Sequence, residues 1–162
     1  MMIKESLQED ITIINIHAPN IGAPLYVRQI LTSMKEEINT NTIIMGDFNT
    51  PLTTMDRSNK QKINKETQTL KDKMDQLDLI DIYGTFHPKT INFTFFSNAH
   101  GTFSRIDHIP GHKSSLGKFK KIEMIPVIFS DHSAVRLDLN YRKKIIKNSN
   151  IWRLNNTLLN NQ

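Results

Sequence analysis

Apolar and polar positions fall in blocks along the chain, and the period of the blocks changes several times. Ile11-Thr12-Ile13-Ile14-Asn15-Ile16 is β-branched and mostly apolar, which predicts a buried strand. Pro19, Asn20, Gly22 and Pro24 break it into a loop. Val27, Ile30, Leu31, Met34 and Ile38 then recur at helical spacing, so an amphipathic helix is expected over residues 24–39. Thr42-Ile43-Ile44-Met45-Gly46 reads as a second buried strand that stops at Asp47-Phe48-Asn49-Thr50-Pro51. After a polar stretch, Leu70, Met74 and Leu77 mark a helix over 64–78, with Asn64 as its N-cap. Strand-like segments follow at Asn92–Phe96, Ser104–Ile109, Ile122–Ile128 and Ser133–Leu139. In the last, Ala134, Arg136 and Asp138 alternate with Val135, Leu137 and Leu139, the pattern of a half-exposed strand. Strands interleaved with crossover helices predict an α/β fold, in one domain over residues 1–140.

Composition narrows the classes. The 162 residues contain no cysteine, which excludes a disulfide scaffold, a thiolate zinc site and a cysteine nucleophile. The apolar runs are a few residues long, as in Met124–Phe129, against the ~20 needed to span a membrane. The first residues, Met1 to Ser6, hold no apolar stretch of secretory type. The expectation is a soluble intracellular domain without membrane partners.

The formal charge of +5 is unevenly placed. All 16 acidic residues lie at or before Asp138, and Arg142, Lys143, Lys144, Lys147 and Arg153 follow it. The remaining 16 basic residues balance the acids, so the tail carries the excess. Residues 141–162, rich in Asn and Lys, read as a basic linker of the kind that contacts nucleic acid or stays solvated.

Polar residues collect where the strands end. The first expected strand ends at His17, the second at Asp47 and Asn49, a third carries Ser104-Arg105-Ile106-Asp107-His108, and Ser130-Asp131-His132-Ser133 opens the last. Open α/β sheets bind ligands beside the carboxyl ends of their strands. Taken singly, Gly46-Asp47-Phe48-Asn49 is turn chemistry and Asp131-His132 is cap chemistry. Together they supply hard oxygen donors suited to Mg²⁺ or Mn²⁺ and a carboxylate–imidazole pair suited to activating water. That combination points to metal-assisted phosphoester cleavage.

The ordered set Asn15-Ile16-His17-Ala18-Pro19-Asn20, Gly46-Asp47-Phe48-Asn49, Ser104-Arg105-Ile106-Asp107-His108 and Ser130-Asp131-His132 resembles the endonuclease/exonuclease/phosphatase superfamily. The resemblance is nearest to the apurinic/apyrimidinic-like endonuclease of long interspersed element (non-LTR) retrotransposons. Asn49-Thr50-Pro51-Leu52, Asp78–Tyr83, Phe86-His87-Pro88 and Thr94-Phe95-Phe96-Ser97 read like that branch. Trp152-Arg153-Leu154-Asn155-Asn156 resembles the junction toward its reverse transcriptase, which implies that domain as a partner in a parent polyprotein.

The resemblance implies a two-sheet, deoxyribonuclease I-like α/β sandwich flanked by helices, and Mg²⁺-dependent nicking of double-stranded DNA in the nucleus. By matching motif, Asp47 orients or deprotonates the attacking water, and Asn49 holds that water and a phosphate oxygen. His132, oriented by Asp107, stabilises the developing charge or moves a proton. Asp47, Asn49, Asp131 and His132 are the implied metal-side residues, with His17 as a further catalytic position where the family usually has Tyr. Arg57, Thr94 and Ser104 match positions lining the DNA groove, and Asn98 and His100 lie in a hairpin loop, Ser97–Phe103, that probes the minor groove. The family also begins with a strand bearing Asn and a strand ending in a metal-binding Glu, which do not match anything upstream of Ile11. The expectation is therefore a domain truncated on its N-terminal side, with weak or no activity in this form. A catalytically defective remnant with weak DNA binding, and a phosphatase of the same superfamily, stand as the alternatives.

Overall fold

The computed structural model describes residues 10–140; the 141–162 tail, with its linker and polyprotein readings, lies outside them. The central sheet is built on β1 (Thr12–His17) and β2 (Thr42–Asp47), parallel neighbours in register from Thr12–Thr42 to His17–Asp47. Parallel neighbours need a crossover, and α1 (Ala23–Ser33) supplies it. α2 (Lys65–Gln76) follows, then β3 (Leu79–Asp81) and the short α3 (Ile82–Phe86). A hairpin comes next, β4 (Phe95–Ser97) with β5 (Thr102–Ser104). β6 (Asp107–His108) and β7 (Pro110–His112) return antiparallel to β2, and β7 also pairs β3. A second hairpin, β8 (Phe119–Ile125) with β9 (Ala134–Leu139), completes the described chain.

Strand alternation on β2 explains the layers. Ile44 faces one side, where Val27, Leu31, Leu70 and Met74 of α1 and α2 pack around Phe48. Ile43 and Met45 face the other, against Ile82, Ile109, Phe119 and Ile122, with Val135 and Leu137 of the second hairpin over them. The result is the expected α/β sandwich, with α1 and α2 on one face of the central sheet and α3 with a two-stranded layer on the other. β1 is not buried on both faces as its composition predicts: Ile14 and Ile16 enter the helix-side core, while Asn15 and His17 stand exposed.

α1 stops at Ser33 rather than at residue 39, although Met34 and Ile38 still pack against the first core. Thr32 and Ser33 turn their hydroxyls onto helix carbonyls, Arg28 O and Ile30 O, and Glu36 and Glu37 would face the negative end of the helix dipole. α2 starts where expected, with the Asn64 side chain accepting from Thr67 N at 2.8 Å. The expected strand over Ser104–Ile109 is instead the end of β5, a kink at Arg105-Ile106, and β6.

That kink is fixed by charge. Arg105 is buried, with Nε donating to Asp56 Oδ1 at 2.8 Å and Nη2 to Asp81 Oδ2 at 2.6 Å, and its guanidinium rests over the Tyr83 ring. Asp56 also accepts from Leu52 N and Thr53 N through Oδ2, so the carboxylate organises the turn after β2 as well as the arginine. Removing one partner would leave a charge stranded in a medium that solvates it poorly. Asp56→Ala should therefore lower the unfolding free energy by about 3–5 kcal/mol. Urea titration followed by circular dichroism measures this; a loss under about 1 kcal/mol, the range of a surface pair, would contradict it.

Candidate functional site

The sheet register brings the first two functional side chains together. Asp47 is the last residue of β2 and Asp107 the first of β6, and the two are direct cross-strand partners. Gly46, just before Asp47, has φ +136°, and a Cβ there would fall 1.9 Å from Ile16 O, so the strand reaches Asp47 through a position only glycine fills. The chain then turns: Asn49 takes a left-handed conformation, its N–H donates to Asp47 Oδ1 at 2.8 Å, and its amide NH₂ donates to Ala18 O. The amide is thus tied to the loop after β1, and its oxygen remains the atom able to meet a ligand.

The third side chain arrives from the loop before β9. His132 Nδ1 lies 2.7 Å from Asp107 Oδ2, and its Nε2 lies 3.7 Å from Asp47 Oδ2. Phe95 packs its ring against the imidazole at 4.8 Å between centroids, and Ser130 Oγ accepts from His132 N. Asp47, Asp107 and His132 each offer one ligand atom within 4.8 Å of the others. Two hard carboxylates with an imidazole and a neighbouring amide oxygen fit a divalent cation that keeps water on its remaining positions.

The electrostatics follow from this crowding. Burial raises the Asp47 carboxyl above its ordinary range, and the nearby Asp107 charge pushes the same way, against the hydrogen bond from Asn49 N and the charges of His132 and His17. For His132, burial works against protonation, but the hydrogen bond and charge of Asp107, helped by Asp47 and Asp131, outweigh it and raise the imidazole above 6.5.

The structure sorts the residues singled out from the sequence. Asp47, Asp107 and His132 converge, and Asn49 adjoins them. Asp107, read as an orienting residue, also belongs to the metal-capable group, whereas the exposed Asp131 does not and acts on His132 through its charge. His17 is exposed at the end of β1, beside Asp47 in register but outside the cluster. Asn98 and His100 are exposed at the tip of the first hairpin, and half-buried Arg57 pairs with Ser104 at its base. Thr94, matched to the groove lining, has an internal task in the fold. It is 1% exposed, and its Oγ1 accepts from Ile106 N and Asp107 N at 3.1 and 3.2 Å. Its carbonyl accepts from Ser133 N at 2.7 Å and its N–H donates to Ser104 O. One buried threonine thus fastens both the strand of Asp107 and the segment of His132. The role of Phe95 against the imidazole exists only through this long-range pairing, whereas the Ser130 contact to His132 N is local to the Ser130-Asp131-His132 motif.

A family model described as the Endonuclease/Exonuclease/phosphatase family matches residues 13–135. The chain is 31% identical over 155 residues to the Transposon TX1 uncharacterized 149 kDa protein of Xenopus laevis, covering 91% of this chain and 12% of that protein. Among solved structures, the 3'-5' exonuclease NExo of Neisseria meningitidis superimposes with a TM-score of 0.67 at 18% identity, covering 80% of this chain and 61% of the other. The endonuclease domain of TRAS1, a telomere-specific non-LTR retrotransposon, gives 0.64 at 17% identity, covering 86% and 62%. This chain therefore spans less than two thirds of each of these relatives, and at these identities the structural likeness establishes the deoxyribonuclease I-like fold.

Because Asp107 gives the largest upward push on His132, Asp107→Asn should bring the imidazole pKa down, with only the charges of Asp47 and Asp131 left to oppose burial. The linkage has a definite sign: stability from the raised His132 is full below pH 6.5 and is lost as pH rises through its higher folded value, and the variant weakens that dependence. Thr94→Val should move the same titration while Thr94→Ser leaves it in place. Imidazole chemical shifts followed against pH measure all three; an unmoved His132 in Asp107→Asn would contradict the pairing.

Proposed function

The chain belongs to the endonuclease/exonuclease/phosphatase family, and on that basis we propose that it hydrolyses phosphodiester bonds of double-stranded DNA with Mg²⁺ (or Mn²⁺), as the nicking domain of a non-LTR retrotransposon. The observation that carries this reading is the Asp47–His132–Asp107 geometry, two carboxylates on either side of one imidazole at the ends of paired strands. The identity to a transposon protein over 91% of the chain supports the retroelement setting. In that setting a reverse transcriptase domain is the covalent partner and the nucleus the place of action. No helix among the described residues is long and apolar enough to cross a membrane.

The two ionisable groups that face each other are suited to opposite tasks. Asp47, with its raised carboxyl, is a better proton acceptor than an ordinary aspartate, and it takes the proton of the attacking water as the oxygen bonds phosphorus and the ester bond to the leaving oxygen breaks. His132, protonated and anchored by Asp107, presents Nε2 to the phosphoryl oxygens that gain charge. The Asn49 amide oxygen holds the water or the cation. Asp47, Asn49 and Asp107 would hold a divalent cation, which would supply Lewis-acid polarisation of the phosphate, and Asp131 adds negative potential nearby.

Supercoiled plasmid with Mg²⁺ tests the proposal. The wild-type chain should convert it to the open circle, and both Asp47→Ala and His132→Ala should lower the rate at least about 100-fold, the loss expected for an acid–base group. Equal background in all three proteins would sink the enzyme reading in favour of a remnant. Phosphate release from a monoester without any nicking would move it to a phosphatase.

A further inference from the structure

The apolar run Met124–Phe129 divides in the fold. Met124 packs against the second core, as do Val135 and Leu137 of the facing strand. Ile128 and Phe129, where the chain turns between β8 and β9, stand 93% and 97% exposed. Surface turns are ordinarily made by Gly, Pro, Asn, Asp and Ser, each for a backbone reason. A β-branched residue and a phenylalanine supply none of those reasons, and at this tip they leave apolar area in water that folding does not remove. The catalytic reading makes no use of either.

The tip is held in a fixed place relative to the imidazole. Its loop hangs from Ile125 and Ala134, a cross-strand pair of β8 and β9, and Pro126 stiffens the ascending leg by fixing its own φ. On the descending leg Asp131 O accepts from Phe96 N at 3.3 Å, His132 bridges Phe95, and Ser133 N donates to Thr94 O at 2.7 Å. Phe129 lies three residues before His132, and three residues of chain reach at most about 11 Å. Successive base pairs of a duplex rise ~3.4 Å. The exposed ring therefore stands a few base steps at most from a phosphate that meets His132. Between Glu123 and Asp131 there is no charged residue, so the tip itself does not repel a polyanion.

We propose that Phe129 is a specificity-determining residue: its ring stacks on an unpaired base beside the scissile phosphate, with Ile128 against the same base, so that bulged or mismatched duplex is taken in preference to paired duplex. The proposal rests on the reading of DNA as substrate. The size of the tip favours a base over a protein partner. One aromatic side chain covers about 150–250 Å², well short of the ~800 Å² that each partner buries in a stable protein interface. A single base, in contrast, offers a flat face that one ring can cover. Stacking reads no hydrogen-bond pattern, so the preference is for a missing pair and not for one base. A paired base must first leave its stack, a cost that is least for a mismatched or bulged one.

The test measures the affinity of the full chain, without divalent metal, for two fluorescent 20-base-pair duplexes, one fully paired and one with a single bulged adenine. The wild type should bind the bulged duplex at least about 5-fold more tightly, the lower end of base–aromatic stacking. Phe129→Ala should lose that margin and keep its affinity for the paired duplex. Phe129→Trp should retain the margin, which separates a missing ring from a damaged fold. A wild type that binds both duplexes alike, or neither, overturns the proposal, as does a margin that survives in Phe129→Ala. A wild type that sediments as a dimer and becomes a monomer in Phe129→Ala overturns it too, because a second copy then covers the ring. The plasmid assay keeps the two readings apart: no margin with intact nicking sinks the stacking role alone, and a Phe129-dependent margin without nicking sinks the nuclease alone.

Discussion

The buried Arg105 guanidinium is the interaction on which the remaining geometry depends. It ties together the turn after β2 through Asp56, the start of α3 through Asp81, and the chain entering β6. Its own N–H donates to Asp56 O at 2.7 Å, so backbone and side chain lock to the same residue. One residue later, Ile106 O accepts from Phe48 N, and one residue after that Asp107 faces Asp47. The satisfaction is incomplete, for Nη1 of Arg105 and Oδ1 of Asp81 are buried without partners among the described residues. Networks of this kind contribute little net stability but disfavour every arrangement in which a charge is left alone. Here the preferred arrangement is the one that sets the register of two carboxylates.

Two histidines near that register meet opposite fates. His108 follows Asp107 directly, is fully buried against Phe48, and offers Nε2 to Thr50 O at 2.8 Å. Burial pushes its pKa down, with the Arg105 charge adding to the effect, so it remains a neutral core group. His132 keeps part of its surface in solvent and gains Asp107, whose hydrogen bond and charge raise its pKa. The difference arises from which side of the sheet each ring occupies: His108 and Asp107 are strand neighbours and point to opposite faces, and His132 joins Asp107 on its face.

Much of this was legible in the chain. Gly46-Asp47-Phe48-Asn49 closes a β-branched run, and Asn64 precedes a helical apolar repeat; both signals are local and both hold in the fold. The strand-end motifs single out Asp47, Asp107 and His132 by their chemistry and order alone. What the chain hides is non-local. β3 is three residues long and exists because β7 pairs it. The break at Arg105 depends on two aspartates, 49 and 24 residues away. The internal task of Thr94 is not legible locally, because nothing near it in sequence tells that its hydroxyl is covered by the amides of Ile106 and Asp107. Asp131 is placed on the metal side by the motif match; across the sheet, Asp107 is the second carboxylate beside Asp47 and His132.

Thr94 and Phe95 sit at the root of a hairpin only three residues long on each strand, and pairs so short open far more readily than the central sheet. The amides of Phe96 and Ser133 are shared between that hairpin and the His132 segment. When the hairpin frays, the imidazole loses its ring partner and its backbone tether together, while the helices and central strands stay folded. The population of the assembled Asp107–His132 pair is therefore tied to the local opening of this hairpin. Two variants with the same melting temperature can differ in the fraction of molecules that hold a competent site at any moment.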